Sequence, residues 1–271
     1  MNGQQMRNAL HAGTRVYGAA VLSSSPRWPA AMKGLPIDFV FIDTEHIPLG
    51  RENVAWMCQT FAALDLAPIV RVPEPNPTLA MMAVDAGAHG VVFPYVETPR
   101  QVRDLVGAVK YRPLKGRRLR DLLERNEAPS SRCRDYLADQ NANGVAVINI
   151  ESAPAIEALP ELLAVEGLDA VLIGPHDLSV NLGIPEEYGA PAFHAAVRTI
   201  VESARRRGIG AGAHFFWQEI EREIAWVRMG VNMLVHSTDL RSMLHAMKSD
   251  LDRIRAAVGD SVGTDVKEQV V

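Results

Sequence analysis

The chain has few cysteines and no long apolar segment. Among its 271 residues only Cys58 and Cys133 are cysteines, and neither belongs to a CxxC pair or to a metal-binding spacing. This excludes a disulfide-stabilised scaffold and is typical of a reducing compartment. No run approaches the ~20 apolar residues that a membrane-spanning helix requires. The apolar stretch Val16–Leu22 is short and interrupted by Gly18, so we expect no signal peptide and predict a cytoplasmic protein.

Charge of either sign is not in large excess. The formal net charge is −4 at pH 7, so we expect neither nucleic acid nor a membrane surface as a partner. The basic segments Lys110–Arg120 and Arg205–Arg207 are followed closely by acidic residues, and we interpret them as solvated faces. The apolar content of 48% is sufficient for a large buried core that needs no disulfide.

A strand followed by a helix recurs along the chain. Eight short apolar runs alternate with segments of helical periodicity, and each run is continuous. Continuous runs are typical of parallel strands that are covered on both faces, so we predict a single (β/α)8 TIM barrel. The predicted strands are Arg15–Val21, Asp38–Ile42, Pro68–Val72, Gly90–Phe93, Val145–Ile150, Leu168–Ile173, Gly208–Ala213 and Val231–Val235.

A doubly wound open sheet is the competing architecture. It usually carries a glycine-rich phosphate turn after its first strand, and the stretch GAAVLSS has no GxGxxG pattern. We therefore assign residues 1–258 to the barrel. A long polar insertion at 111–143 interrupts it, with short helices expected at Leu119–Leu123 and Tyr136–Leu137, and residues 259–271 are expected to form a loosely ordered polar tail.

The segment Val145–Gly183 contains two of these strands and indicates a site. Its first strand stops at Glu151, a helix begins after Ser152, and the second strand stops at a polar turn that contains Asp177. A helix of about 12 residues covers ~18 Å and returns the chain across a parallel sheet, which places both acids at one edge. Such a pair suits a hard cation such as Mg²⁺. The alternative is that each acid caps a helix or pairs with an arginine.

Polar residues that follow other predicted strands converge on the same edge. Asp43, Glu45 and His46 follow the second strand, and Arg71 ends the third. Since a neighbouring carboxylate makes an imidazole a better base, we assign His46 as the general base, with Asp43 as its partner. The alternative is that His46 has only a structural role at the end of the strand. Glu45 should point elsewhere if the chain stays extended. Arg71 either stabilises charge on a substrate oxygen or neutralises an acid.

Five segments carry a family resemblance: FVFIDTEH (Phe39–His46), IVRVP (Ile69–Pro73), VDAGAHGVVFPYVET (Val84–Thr98), INIES (Ile148–Ser152) and LIGPHDLSVNLG (Leu172–Gly183). In this order along the chain they resemble the HpcH/HpaI family of metal-dependent class II pyruvate aldolases. The DxEH and GPxDLS patterns are specific in combination. The resemblance implies a barrel of the phosphoenolpyruvate/pyruvate-binding type, a homohexamer built as a trimer of dimers, and reversible cleavage of a 4-hydroxy-2-oxo acid to pyruvate and an aldehyde.

The resemblance also implies roles for the residues at the strand ends. Glu151 and Asp177 would bind Mg²⁺, Mn²⁺ or Co²⁺, and the ion would bind pyruvate. His46, oriented by Asp43, would be the acid–base residue. Arg71 would contact the enolate oxygen.

Further residues are implied to bind substrate. Backbone amides around Gly174, Pro175 and His176 would hold the pyruvate carboxylate, and Asp85 would reach the active site of a neighbouring subunit. Asn149 stands near pyruvate, where the family commonly has Gln.

Departures from the family pattern, Asn149 among them, leave the pyruvate half of the site intact and bear on the identity of the aldehyde acceptor. Thr44 replaces the usual Gly, and Lys115–Arg118 lacks the usual Arg-Gly turn. Phe215, Phe216 and Trp217 either wall an apolar acceptor pocket or pack in the barrel. Two alternative functions therefore stay open: an oxaloacetate decarboxylase or enolate-condensing enzyme on the same site, and a catalytically silent metal-binding barrel.

Overall fold

The computed structural model shows a closed barrel of eight parallel strands in sequential order, with β8 paired to β1. It describes residues 1–124, 129–215 and 219–261. The predicted (β/α)8 fold is confirmed. The strands are β1 Val16–Ala20, β2 Phe39–Asp43, β3 Ala67–Arg71, β4 Gly90–Phe93, β5 Val145–Ile150, β6 Ala170–Ile173, β7 Gly210–Phe215 and β8 Met233–Thr238.

Helices connect the strands, one further helix precedes β1 and another follows β8. In the part of the chain that the structure describes, none of them is both long and apolar enough to cross a bilayer. The helices are α1 Gly3–Ala12, α2 Trp28–Met32, α3 Arg51–Ala63, α4 Pro77–Asp85, α5 Pro99–Lys110, α6 Gly116–Leu123, α7 Ser131–Gln140, α8 Ala153–Glu157, α9 Leu159–Leu162, α10 Pro175–Asn181, α11 Pro191–Arg206, α12 Ile220–Met229 and α13 Asp239–Val258.

Alternate residues of each strand face opposite sides of the barrel wall. Val40 and Ile42 of β2 pack outward among the helices, whereas Phe39 and Phe41 belong to a separate cluster inside the barrel. A Cβ at Gly18 of β1 would lie 2.5 Å from the Phe39 ring. The glycine is therefore needed for that ring to fill the barrel, and the same alternation decides which strand-end side chains face the mouth.

The amino-terminal end of the barrel is closed by α1. Met6 and Leu10 of this helix are fully buried in the interior cluster. An Asn2–Gln5 capping box starts the helix, and Gly13 ends it in a left-handed conformation. The carboxyl ends of the strands are therefore left as the open mouth, which is where barrel enzymes place their active sites.

Two boundaries differ from the sequence prediction for identifiable reasons. The single helix predicted after Ser152 is divided into α8 and α9 at Ala158, because Pro160 has no N–H with which to continue the helical ladder. The strand predicted to begin at Gly208 begins at Gly210. Gly208 instead adopts φ +68°, which turns the chain after α11.

The described part of the polar insertion contains more helix than the sequence predicts, and the tail begins where α13 ends. The predicted insertion 111–143 contains α6 and α7, each of which extends beyond the short helices expected there. Helix α13 ends at Val258 with Gly259 as a left-handed cap. Residues 262–271 of the predicted tail lie outside the described residues.

A network centred on Asp169 links the helices at the closed end of the barrel. The Asp169 carboxylate accepts hydrogen bonds from the Ala146 N–H at 2.8 Å and from Lys110 Nζ. His11 of α1 contacts the same carboxylate at 3.0 Å through Nε2, and its Nδ1 lies 2.8 Å from the Gly208 carbonyl oxygen. The hydrogen bond to Asp169 is the main reason that the pKa of His11 is raised, against the opposing effect of its partial burial.

We predict that replacing His11→Ala destabilises the fold more in acid than in base. A histidine whose folded-state pKa is raised stabilises the fold below its ordinary pKa of about 6.5, and this stabilisation is lost as the pH rises through the folded-state pKa. The melting temperatures of the native and variant chains should therefore differ more at about pH 5.5 than at about pH 8.5. His194→Ala on α11 is the control, and an equal difference at both pH values would contradict the prediction.

Candidate active site

Four buried polar residues continue the inward-facing positions of β2, β3 and β5 into the mouth of the barrel. Asp43 and Arg71 are register partners at the ends of β2 and β3. Asn149 lies near the end of β5, and Glu151 is the first residue after that strand. All four are at most 5% exposed, so each must find a polar partner within the protein or in a bound ligand.

Arg71 and Asp43 form a two-pronged ion pair. Arg71 Nε donates to Asp43 Oδ1 at 2.9 Å, and Arg71 Nη2 donates to Oδ2 at 2.7 Å. The guanidinium also lies 5.6 Å from the centre of the Phe41 ring beneath it. Burial opposes ionisation of Asp43, but the hydrogen bonds and charge of Arg71 outweigh it and lower the pKa of the carboxyl group. Arg71 is thereby held rigidly at the floor of the mouth.

The expected Asp43–His46 pair is not what the structure shows. Asp43 is occupied by Arg71 and by the N–H of Glu45, which donates to Asp43 Oδ1 at 3.0 Å. The carboxylate beside His46 is Glu45, whose Oε2 lies 3.7 Å from His46 Nε2. Glu45 Oε2 is also 3.1 Å from Arg71 Nε. The prediction that Glu45 points away is therefore wrong, because the chain bends after β2 instead of staying extended.

Glu45 lies in an environment that favours its protonated form. Burial is the largest cause, and the charges of Asp43 and Asp177 add to it, so that the pKa of Glu45 is raised to about 7 despite the nearby Arg71. His46 itself is half exposed. The pair thus offers a carboxyl group that titrates near neutral pH next to an accessible imidazole, an arrangement that suits proton transfer.

Glu151 is fixed by two hydrogen bonds. Its Oε1 accepts from the Tyr95 N–H at 2.8 Å, and its Oε2 accepts from Asn149 Nδ2 at 2.9 Å. Burial and the charge of Asp177 nevertheless raise the pKa of Glu151 to about 7. A carboxylate held this tightly beside another acid is stabilised by a bound cation.

Asp177 lies in the first turn of α10 instead of in the polar turn predicted there. Gly174 immediately precedes this helix, and a Cβ at Gly174 would lie 2.1 Å from Glu151 Oε2. Only glycine therefore allows α10 to start so close to Glu151. The charge of Asp177 raises the pKa of both Glu151 and Glu45, so Asp177 lies near enough to act on both carboxyl groups.

The other residues that were predicted to bind substrate do not all lie at the mouth. His176 is exposed, with its Nδ1 3.8 Å from Glu186 Oε1. The first helical hydrogen bond of α10 runs from the Leu178 N–H to the Gly174 carbonyl oxygen. Pro175 is buried and has no N–H, so the N–H groups of His176 and Asp177 are the ones at the start of α10 that have no acceptor within the helix. Asp85 is the last residue of α4, which runs back toward the amino ends of the strands, and it pairs with Arg112 at 2.8 Å. Asp85 is therefore not brought to the mouth of its own barrel.

The residues present fit a divalent cation held by two carboxylates. No group of three or more His, Cys, Asp or Glu side chains arranged for a metal occurs within residues 1–124, 129–215 and 219–261. An ion at Glu151 and Asp177 would therefore complete its shell with water and substrate oxygens, as Mg²⁺ commonly does. Asn149 Oδ1, buried without a hydrogen-bond partner, supplies a further oxygen beside Glu151.

His214 at the end of β7 was not predicted from the sequence. It is 4% exposed and stacks on Phe41 with ring centres 6.4 Å apart and an angle of 12° between the rings. Burial, with a smaller effect of the Arg71 charge, lowers its pKa to about 3, so the ring is neutral. Its position after the alternating glycines Gly210 and Gly212 is the sequence feature that points to an inward-facing side chain.

The aromatic wall predicted after β7 is described only in part. Phe215 packs outward against Trp226 at 5.2 Å between ring centres, whereas Phe216 and Trp217 lie outside the described residues. Thr238 caps α13 by accepting a hydrogen bond from the Arg241 N–H. Phe215 therefore faces the helices and not the mouth.

Comparisons with known proteins agree with this geometry. Residues 18–246 match the protein family described as HpcH/HpaI aldolase/citrate lyase. A 2-keto-3-deoxy-L-rhamnonate aldolase from Klebsiella pneumoniae is 34% identical over 221 residues, which cover 79% of this chain and 81% of that protein. The resemblance predicted from the sequence is confirmed.

Solved structures give the same result. An HpcH/HpaI aldolase/citrate lyase family protein from Burkholderia cenocepacia J2315 superimposes with a TM-score of 0.79 at 25% identity and covers 93% of this chain and 99% of that one. The citrate synthase SbnG superimposes with a TM-score of 0.78 at 25% identity and covers 94% and 99% of the two chains. The chain is thus similar both to an aldolase-family protein and to an enzyme that forms citrate.

We predict that Arg71→Met lowers the free energy of unfolding by about 3–5 kcal/mol, because it leaves the Asp43 carboxylate buried without its partner. Urea unfolding followed by circular dichroism measures the effect. The double variant Asp43→Asn/Arg71→Met should regain part of the loss, since the uncompensated charge is removed. A loss below about 1 kcal/mol in Arg71→Met would show that the ion pair does not hold the mouth together.

Proposed function

We propose, on the premise that the chain belongs to the HpcH/HpaI aldolase/citrate lyase family, that it is a divalent-metal-dependent aldolase. It would cleave a 4-hydroxy-2-oxo acid reversibly to pyruvate and an aldehyde. The relatives are named as aldolases, which are lyases, so the prediction of a lyase is confirmed. The observation that carries the finer proposal is the presence of Glu151 and Asp177 together with Arg71 at one mouth.

Glu151 and Asp177 are the residues that would hold the cation, which we propose to be Mg²⁺, Mn²⁺ or Co²⁺. When bound, such an ion acts as a Lewis acid and lowers the energy of the enolate that forms when the carbon–carbon bond breaks. The protein's contribution is the fixed position of the Glu151 carboxylate, which Tyr95 and Asn149 hold by hydrogen bonds.

Arg71 provides the fixed positive charge of the site. Two of its N–H groups are committed to Asp43, and the guanidinium has five in total. The others are available to a substrate oxygen on which negative charge develops. Because Asp43 and Phe41 already hold the guanidinium, no reorganisation is required during the reaction, which is the condition for effective electrostatic stabilisation.

His46 and Glu45 are the proposed proton-transfer pair. In the cleavage direction the hydroxyl proton at C4 of the substrate must be removed, and in the condensation direction it must be returned. The half-exposed imidazole of His46 can take this proton, and Glu45 at 3.7 Å, in its ionised form, stabilises the imidazolium that forms. The N–H groups at the start of α10 are suited to the pyruvate carboxylate.

The similarity to SbnG favours one alternative on the same site. An enolate-condensing enzyme or an oxaloacetate decarboxylase would use the same ion, the same Arg71 and the same pyruvate-like fragment. It would differ in the electrophile or leaving group. Turnover of oxaloacetate without cleavage of any 4-hydroxy-2-oxo acid would favour this alternative over the aldolase.

We predict that the protein exchanges the C3 protons of pyruvate with solvent deuterium in a metal-dependent manner. Exchange followed by proton NMR should stop in EDTA and return with Mg²⁺ or Mn²⁺, because the enolate needs the cation. Glu151→Gln should abolish the exchange, whereas Glu157→Gln on α8 is a control outside the mouth. Exchange that persists in metal-free protein would refute the metal-dependent mechanism.

We predict that His46→Ala lowers kcat for aldol cleavage by about 10²–10⁴-fold, the usual contribution of a general base. His194→Ala serves as the control for loss of an imidazole elsewhere. If His46→Ala and the native protein show the same activity on every substrate tested, the silent metal-binding barrel becomes the better interpretation.

We also propose that the protein is a homo-oligomer, and the hexamer implied by the resemblance is the expected form. The support is α13, which has no buried residue and exposes an apolar stripe at helical spacing. A contiguous apolar face of this length is typical of an interface. The stripe consists of Leu240, Met243, Leu244, Met247, Leu251, Ile254 and Val258.

Leu244→Asp should therefore reduce the molar mass of the oligomer in solution, because a charge in the middle of an apolar interface is costly to bury. Light scattering after gel filtration measures the change. Ser249→Asp on the polar face of α13 introduces the same charge as a control. An unchanged mass in Leu244→Asp, or a monomeric native protein, would contradict the proposed assembly.

A further inference from the structure

A small polar cleft lies at the closed end of the barrel, at the opposite end of the strands from the mouth. It has a volume of about 250 Å³ and is formed by the ends of α3, α4, α5 and α7 and by the turns that lead into β4 and β5. Pockets for drug-sized molecules are usually about 300–1,000 Å³, so this cleft suits a smaller ligand. The polar side chains that line it include Gln59, His89, Arg112, Asn141 and Asn143.

The charge of the cleft is positive. Among the described residues that line it, Arg112 carries a permanent charge and none is acidic. Arg112 Nη2 lies 2.8 Å from Oδ1 of Asp85, an exposed residue outside the cleft. A guanidinium has five N–H groups, so this pair leaves others for a second acceptor. The charge therefore favours an anion as the ligand.

The backbone acceptors around the cleft are already bonded to donors of the protein. Asn141 Nδ2 donates to the carbonyl oxygen of Arg112 at 2.9 Å and to that of Leu137 at 2.8 Å. Lys110 Nζ donates to the carbonyl oxygen of Gly144 at 2.6 Å. Because these carbonyl oxygens are engaged, the cleft offers a ligand more donors than acceptors, which disfavours a cation.

Two side chains of the cleft have nitrogen atoms to offer to a ligand. His89 Nδ1 is buried, and no hydrogen-bond partner for it occurs among the described residues. Buried polar atoms nearly always have a partner, so this nitrogen indicates a bound molecule, to which it donates when its ring carries the proton there. Asn143 Oδ1 accepts from the Gln4 N–H at 3.3 Å, which leaves the NH₂ group of the same amide to donate.

Gly87 is needed for the shape of the cleft. It has φ +105°, and a Cβ there would lie 2.5 Å from Gln59 Nε2. Glycine therefore allows the turn before β4 to pass directly against the Gln59 amide. The backbone of the turn and the amide are thereby held together at the edge of the cleft.

We propose that this cleft is a second binding site, which takes a small oxyanion through a carboxylate or phosphate group, with Arg112 and His89 donating to its oxygens. Guanidinium groups match the geometry of such groups and bind them through charge-assisted hydrogen bonds. The site is separate from the mouth, because the two lie at opposite ends of β4 and β5. It does not depend on the proposed aldolase function.

The test is equilibrium dialysis of the native protein in EDTA against radiolabelled inorganic phosphate and, separately, against radiolabelled acetate. The native protein should bind one equivalent per chain of at least one of these anions. Arg112→Gln should weaken the binding at least about 10-fold, because it removes charged hydrogen bonds, and His89→Phe should weaken it about 3- to 10-fold. Arg117→Gln is the matched control, since Arg117 also pairs with one acid, Asp121, but lies on α6 outside the cleft.

A variant with the opposite expected effect makes the test sharper. Asp85 competes with the anion for Arg112, so Asp85→Asn should strengthen the binding about 2- to 5-fold, the usual size of an exposed ion pair. Because Asp85 and Arg112 are both solvent-accessible, we expect their variants to fold even if His89→Phe does not.

The two anions identify the source of the oxyanion. Arg112-dependent binding of phosphate alone assigns the site to phosphate groups, binding of acetate alone assigns it to carboxylates, and binding of both supports the shared class. If the native protein binds neither anion, or if Arg112→Gln binds as tightly as the native protein, the proposal is wrong. Equal weakening in Arg112→Gln and Arg117→Gln would also overturn it, because the effect would then come from the net charge and not from this cleft.

Discussion

The buried ion pair between Arg71 and Asp43 is the interaction on which the mouth of this barrel depends. Four acids, Asp43, Glu45, Glu151 and Asp177, influence one another there, and Arg71 is the cation that acts on the first three. Asp43 pairs with the guanidinium through two short hydrogen bonds. Glu45 and Glu151 therefore have too little positive charge nearby to offset their burial, which raises the pKa values of both to about 7.

This shortage of positive charge links the fold to the proposed chemistry. A parallel barrel delivers its strand ends to one face, and inward-facing alternation then decides which of them become neighbours. Gly174 allows α10 to begin against Glu151, so that Asp177 reaches the same place. A divalent cation between these two acids would remove their repulsion and supply the charge on which an enolate depends.

The sequence was sufficient for the barrel and for part of the site. Continuous apolar runs that stop at a charged residue mark strand ends, so Glu151, Arg71 and Asp43 were identifiable from the chain alone. The partners of these residues could not be identified in the same way, because the pairing of Asp43 with Arg71 depends on the register between β2 and β3. Glu45 was misplaced since a bend cannot be told from a continued strand by alternation. The position of Tyr95 was not predictable either, because its own backbone is left-handed and no glycine in the sequence indicates such a turn.

We propose that Glu151 and Asp177 share one divalent cation, and this sharing can be measured by titrating Mn²⁺ into the protein and following the free ion by electron paramagnetic resonance. The native protein should bind one Mn²⁺ per chain, and this binding should be lost in Glu151→Gln and equally in Asp177→Asn, whereas Glu157→Gln should retain it. Native Mn²⁺ affinity in either Glu151→Gln or Asp177→Asn would show that the two acids do not share an ion.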